Sequence, residues 1–171
     1  MDKKILMVVA NNGFQDYEYE KPRMALEKAG CVVDVASSKV GECVGKFGSL
    51  VVADKNIAEV NGQDYDAVVF VGGPGASNEF FENEDYLRLA QEARLVGAIC
   101  IAPMIISASG VFKGKRMTGW NNEQNEQREY IEQNGVVFVD EPVVLDGNLI
   151  TANGPDSAEE FGQTLVRELM S

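Results

Sequence analysis

Short apolar runs alternate along this chain with segments whose apolar residues recur every three or four positions. Ile5–Ala10 is an uninterrupted apolar run of strand length and predicts a buried strand. Beyond it, Pro22, Ala25, Leu26 and Ala29 keep the spacing of one helix face, and Gly30 ends that helix. Cys31–Ser37 is a second strand, and the glycine-punctuated stretch Val44–Val52 predicts a small hairpin or edge excursion. Asp66–Val71 is a strongly apolar run and predicts a central strand, followed by a helix whose inner stripe is Tyr86, Leu89, Ala90 and Ala93.

The same alternation continues to the C-terminus. Leu95–Ile99 predicts a strand, Ala102–Ser109 a helix stopped by Gly110, and Arg116–Thr118 a short strand. Glu123–Gln133 is a polar helix whose charges form a solvated face. Val136–Val139 follows, then Pro142–Leu145 and Asn148–Thr151 joined by an Asp146-Gly147 hairpin turn. The last helix opens on Ser157-Ala158-Glu159-Glu160, a capping-box pattern, and turns Phe161, Leu165 and Leu169 inward. No repeat, low-complexity stretch or linker interrupts the pattern. Strands alternating with helices give an α/β, doubly wound, mostly parallel sheet covered on both faces, as a single domain over residues 1–171.

Composition narrows the chemistry. The 171 residues include 27 acidic against 15 basic side chains, a net charge of −12, three cysteines and no histidine. Without histidine there is no Ser-His-Asp or Cys-His triad, no imidazole base and no histidine-ligated metal. Catalysis would have to use carboxylates, thiols, amines, hydroxyls or backbone dipoles. The acidity and the lack of a basic stripe argue against nucleic acid and against an anionic membrane surface as partners. The longest apolar runs are too short to span a bilayer, and three cysteines without a CxxC fit free thiols in a reducing, cytoplasmic setting.

In a doubly wound sheet, ligands bind beyond the carboxyl ends of the strands. Three predicted turns lie there: Asn11–Glu18, Gly72-Gly73-Pro74-Gly75, and Cys100-Ile101-Ala102-Pro103. Cys100 stands where a strand turns directly into a helix, the position of a nucleophile elbow, and the helix N-terminus there would favour its thiolate. Equally, a cysteine at that position fits a small buried hydrophobe. Gly72–Gly75 would offer backbone N–H groups to an oxyanion hole with the amide of Ile101, or serve simply as a tight connection. It lacks the third glycine of a dinucleotide fingerprint, and Gly110–Arg116 lacks the hydroxyl residue of a phosphate loop. Glu18 falls just ahead of Pro22, which is expected in the first turn of its helix. A carboxyl partly buried near Cys100 would have a raised pKa, stay protonated and donate to the thiolate.

Taken in order, Gly13-Phe14-Gln15-Asp16-Tyr17-Glu18 with Pro22, Asp64–Gly73, Gly97–Pro103, Gly110–Lys115, Asp146–Thr151 and Gly154-Pro155 resemble the DJ-1/PfpI superfamily, the class I glutamine-amidotransferase-like group. The resemblance covers nearly the whole chain. It implies a flavodoxin-like sandwich, a homodimer without cofactor or metal, and a reactive, oxidisable Cys100 beside a protonated Glu18. It further implies that the amides of Gly73 and Ile101 form the anion pocket, with Trp120 and Gly72 in its wall. Relatives are described as glyoxalases or deglycases, peptidases, chaperones and oxidative-stress proteins. The chain departs from them at Ile101, where the PfpI-like branch has histidine after the cysteine. It departs again at Gly119-Trp120, where the deglycase branch supplies a histidine, and at Gln15, which replaces a frequent acid. The expected activity is cysteine-dependent chemistry on small reactive carbonyls of the glyoxalase III or deglycase kind. The alternative is a redox-responsive stress protein whose Cys100 becomes a sulfinic acid; a peptidase is third, because Ile101 removes the Cys-His pair.

Overall fold

In a computed structural model describing residues 2–171, the first apolar run forms β1 (Lys4–Val8), and a short β2 (Asn12–Phe14) leads into α1 (Asp16–Lys28). There follow β3 (Val32–Ser37), β4 (Gly41–Gly45), β5 (Leu50–Ala53), β6 (Lys55–Asn56) and β7 (Ala67–Phe70). Two helices, α2 (Pro74–Phe80) and α3 (Glu84–Glu92), lead into β8 (Val96–Ile99) and α4 (Ala102–Ser107). The chain then runs through β9 (Arg116–Met117), α5 (Glu126–Gln133), β10 (Val137–Phe138), β11 (Val143–Asp146), β12 (Leu149–Ala152) and α6 (Ala158–Met170).

Seven strands make one sheet in the order β11-β12-β8-β7-β1-β3-β6, parallel throughout except where β11 runs against β12. The central strands are apolar on both sides because both faces are covered: every residue of β7, β8 and β12 is buried. On one face α1 packs against α6, which lies over β12 and β8; on the other, α4 packs with α2, α3 and α5. Gly97 lets α6 down onto β8, since a methyl group there would stand 2.9 Å from Leu165 and 3.0 Å from Phe161. On the opposite face, the Tyr86 ring stacks on Phe80 and meets Phe70 at a tilt, with ring centres 4.6 Å apart in both pairs. The expected α/β architecture is thus the observed one. No helix among the described residues is long and apolar enough to cross a membrane.

Several local expectations are corrected. Pro22 lies inside α1, past its first turn, because the helix already starts at Asp16, where Gln15 Oε1 accepts the N–H groups of Tyr17 (2.7 Å) and Glu18 (3.0 Å). Its ring forfeits the bond to the Glu18 carbonyl but sits at the close approach of α1 to Gly162 of α6. The hairpin turn is Gly147-Asn148, one residue later than expected: Asp146 pairs with Leu149, Gly147 takes φ +59°, and the Asp146 carboxylate accepts the Arg116 N–H. Ser157 does not cap α6. A 3-10 turn, Pro155–Ser157, precedes the helix, and the Ser157 hydroxyl donates instead to Asn153 Oδ1 at 2.7 Å. Helix α2 was not expected, because its buried positions are the small residues Gly75 and Ala76 with Phe80, too weak a stripe to register.

The Val44–Val52 excursion is the antiparallel pair β4–β5, joined to β2 in a separate three-stranded sheet. Its tip is fastened to the start of α1. The buried Asp16 carboxylate accepts the N–H groups of Phe47 (2.8 Å) and Ser49 (2.9 Å), and Gly45 leaves the room that this carboxylate occupies. Burial alone would raise the Asp16 pKa, but these amides outweigh it and hold the carboxyl below its ordinary value. Asp16→Ala should therefore cost about 1–3 kcal/mol by removing the acceptor of two partly buried amides; an unchanged thermal midpoint would show the clamp to be dispensable.

Candidate active site

Strands β1, β7 and β8 are neighbours and parallel, so their carboxyl ends deliver three loops to one place. The β1 side delivers Gln15 and Glu18, β7 delivers Gly72 and Gly73, and β8 delivers Cys100 and Ile101. All of them except Gly72 border one cavity of 410 Å³, open to solvent, to which Trp120 and Lys46 also contribute.

Cys100 has φ +64°, a left-handed conformation that costs a non-glycine residue about 1–2 kcal/mol. Two backbone hydrogen bonds hold it there: its N–H donates to Ala152 of β12 at 2.9 Å, and its carbonyl accepts the Trp120 N–H at 2.7 Å. This is an elbow, with the sulfur presented at the strand-to-helix turn and the N–H groups of Gly73 and Ile101 directed at it. Gly73 adopts φ +110°, and a methyl group on it would meet Gln15 N and Gly13 O at 2.5 Å, so this loop must pass close beneath the start of α1.

Glu18 is fully buried. Its Oε1 accepts the Gly72 N–H at 3.1 Å, and the Gly72 carbonyl in turn accepts the Gln15 N–H at 3.0 Å. Its Oε2 has no well-formed hydrogen bond, although the Cys100 thiol is near enough to act on the carboxyl. Gly72, expected in the pocket wall, is instead buried behind it as a spacer. A methyl group there would stand 2.5 Å from Glu18 Oε1 and 2.7 Å from Cys100 Cβ.

Desolvation is the largest influence on both titrating groups. It drives Glu18 up to about 8, against the opposing pull of the Cys100 thiol, the Gly72 amide and the Lys46 charge. Glu18 is accordingly protonated at neutral pH. Burial also pushes the Cys100 thiol well up, and the Glu18 charge adds to this; the Ile101 and Gly73 amides pull it back only in part. The lowering expected from the helix terminus is overridden, because α4 has six residues and few aligned dipoles to set against burial. The two groups form one coupled pair that sheds its first proton near pH 8.

Sequence reading did not single out Lys46, which comes from the β4–β5 hairpin and reaches this cavity only through tertiary packing. Cys31 and Cys43 are free and buried, and neither borders the cavity. Among the described residues no cluster of acidic or cysteine side chains is arranged to hold a metal ion.

Because Glu18 binds its proton more tightly folded than unfolded, stability falls as pH rises from 4.5 to 8. Relative to Glu18→Gln, the native protein should lose about 4 kcal/mol across that window. Denaturant midpoints at both ends, for the two proteins, measure the difference; parallel curves would contradict a buried, protonated Glu18.

The model of the DJ-1/PfpI family matches residues 3–168. An uncharacterized protein of Methanocaldococcus jannaschii is 37% identical over 170 residues, covering 97% of this chain and 82% of its own length. An uncharacterized Staphylococcus aureus protein is 33% identical over 183 residues, covering 99% of each. Among solved structures, a ThiJ/PfpI domain protein from Brachyspira murdochii superposes with a TM-score of 0.91 at 28% identity, over 99% of this chain and 97% of that one. Drosophila melanogaster DJ-1beta superposes with a TM-score of 0.83 at 32% identity, over 99% and 91%.

Proposed function

The chain belongs to the DJ-1/PfpI family, and from that premise we propose that it is a cysteine-dependent enzyme acting on small reactive carbonyls, with Cys100 as nucleophile and Glu18 as proton carrier. The observation that carries this reading is the meeting of one partly accessible thiol, one buried protonated carboxyl and two converging backbone amides at a single cavity.

The active form is the pair holding one proton. For a 2-oxoaldehyde such as methylglyoxal, the Cys100 sulfur bonds to the aldehyde carbon and Glu18 protonates the new alkoxide, which the Gly73 and Ile101 amides hold meanwhile. Glu18, now a carboxylate, removes the hydrogen from that carbon as a proton and returns a proton at the neighbouring carbon. One carbon is oxidised and the other reduced within the same molecule, leaving a thioester of the 2-hydroxy acid. Water hydrolyses the thioester, releases the acid and restores the pair. No external oxidant or cofactor enters the balance. The absence of histidine is accommodated because the carboxyl alone moves every proton.

Methylglyoxal consumption, followed as hydroxy-acid formation, should vanish in Cys100→Ala and fall about 10²–10⁴-fold in Glu18→Gln. Below pH 8 the native rate should rise with pH as the pair loses its first proton. A native protein no faster than Cys100→Ala ends this reading.

A second reading, a redox-responsive protein with little turnover, is favoured by one contrast: Cys31 and Cys43 are buried, whereas Cys100 is partly accessible and carries two amides at its sulfur. Two peroxide molecules would each transfer an oxygen to that sulfur and leave as water, giving a sulfinate. Intact-mass and peptide analysis after mild peroxide should place a two-oxygen adduct on Cys100. Oxidation spread evenly over the three cysteines would count against it.

A further inference from the structure

Lys46 borders the cavity, and the chemistry above leaves it without a task. Its backbone is fixed with respect to the reacting groups. The Lys46 N–H donates to the Phe14 carbonyl at 2.8 Å, and the next N–H, that of Phe47, donates to the buried Asp16 carboxylate. Phe14 and Asp16 belong to the segment that also carries Gln15 and Glu18, so the hairpin tip and the carboxyl are held as one piece. The lysine side chain extends from this fixed base along the Phe47 ring, with Nζ at 5.4 Å from the ring centre. Among the described residues it forms no salt bridge, and its charge is felt by Glu18.

The polar groups around it are mostly donors. Gln15 Oε1 is committed to the α1 amides, which leaves its NH2 group for the cavity; the Ser77 hydroxyl can donate or accept, the Trp120 indole has only an N–H to offer, and the Gly73 and Ile101 amides face the sulfur. Besides the thiol itself, Glu18 is the one lining side chain able to carry negative charge, and it is protonated at neutral pH. In a chain of net charge −12 the cavity therefore carries at its edge one positive charge, from an exposed lysine on a held backbone, beside a set of donors, an arrangement that matches an acceptor-only group.

We propose that Lys46 makes this cavity selective for carbonyl compounds that carry a carboxylate near the reacting carbon, 2-oxoaldehydes with an acid group rather than uncharged ones. The inference rests on the cysteine reading given above and adds the substrate class to it. Lys46 is a specificity-determining residue: its charge meets the carboxylate while Cys100 bonds to the aldehyde carbon, and no additional reactant is needed.

Iodoacetate and iodoacetamide test the charge preference without requiring turnover. They have the same reacting carbon, from which the thiolate displaces iodide while the thiol proton passes to solvent, and they differ in charge. The ratio of their Cys100 alkylation rates, normalised to that of a small free thiol, should favour iodoacetate in the native protein. It should fall about 3- to 10-fold in Lys46→Met, fall further in Lys46→Glu and be kept in Lys46→Arg. High salt should lower the native ratio relative to that of Lys46→Met. An equal ratio in native protein and Lys46→Met overturns the proposal, even if both reagents slow together, because a merely structural lysine would change both rates alike. Native Cys100 modified by iodoacetamide but not by iodoacetate would likewise overturn the proposal, whereas failure of both reagents would overturn the nucleophile reading itself, so the two failures are distinguishable.

Discussion

Three chain segments meet at Gly72 with no room for a methyl group between them, and the arrangement of the site follows from that approach. Glu18 from α1 lies on one side of the β7 end, and the end of β8 with its Cys100 elbow lies on the other. Such closeness excludes water from the carboxyl, and exclusion of water raises its pKa to about 8. A larger residue at Gly72 would push α1 away from the sheet, hydrate Glu18 and return it to the ordinary carboxylate range. The proton that Glu18 carries is thus a consequence of packing.

Burial acts on the thiol in the same direction, and there it disfavours the thiolate. Two backbone amides are what the fold sets against this penalty, to which the Glu18 charge adds. The elbow that brings them together is itself strained, with Cys100 in a left-handed conformation stabilised by hydrogen bonds from β12 and from the loop at Trp120. Strain at one residue is tolerable because both flanking peptide groups are hydrogen-bonded, one to β12 in the sheet and the other to the loop at Trp120. The same economy appears at the hairpin, where the single carboxylate of Asp16 ties β4–β5 to the helix that carries Glu18. Lys46 is thereby held near a pair of groups to which it has no sequence proximity.

How far the site was legible depended on the range of the interaction involved. Cys100, Glu18, Gly73 and Ile101 could be named in advance because each stands at a strand end or helix start that hydrophobic periodicity locates. Gly72 was named for the wrong reason, since whether a glycine lines a cavity or spaces two side chains depends on what packs against it. Ser157 and the Asp146-Gly147 turn were misread by one local alternative each: a hydroxyl that found Asn153 instead of a helix amide, and a pairing register shifted by one residue. Helix α2 escaped notice because its buried face is made of small residues.

By itself the sequence determined the alternating architecture, the central strands and the residues at their carboxyl ends, because strand and helix periods are local properties of the chain. It also determined that any proton transfer must proceed without imidazole, since the chain has no histidine. Only the tertiary structure decided which way the Cys100 and Glu18 ionisations move, that Pro22 sits inside α1 and that Lys46 joins the cavity. Desolvation, close approach and through-space charge depend on residues far apart in the chain, and none of them exists until those residues are packed together.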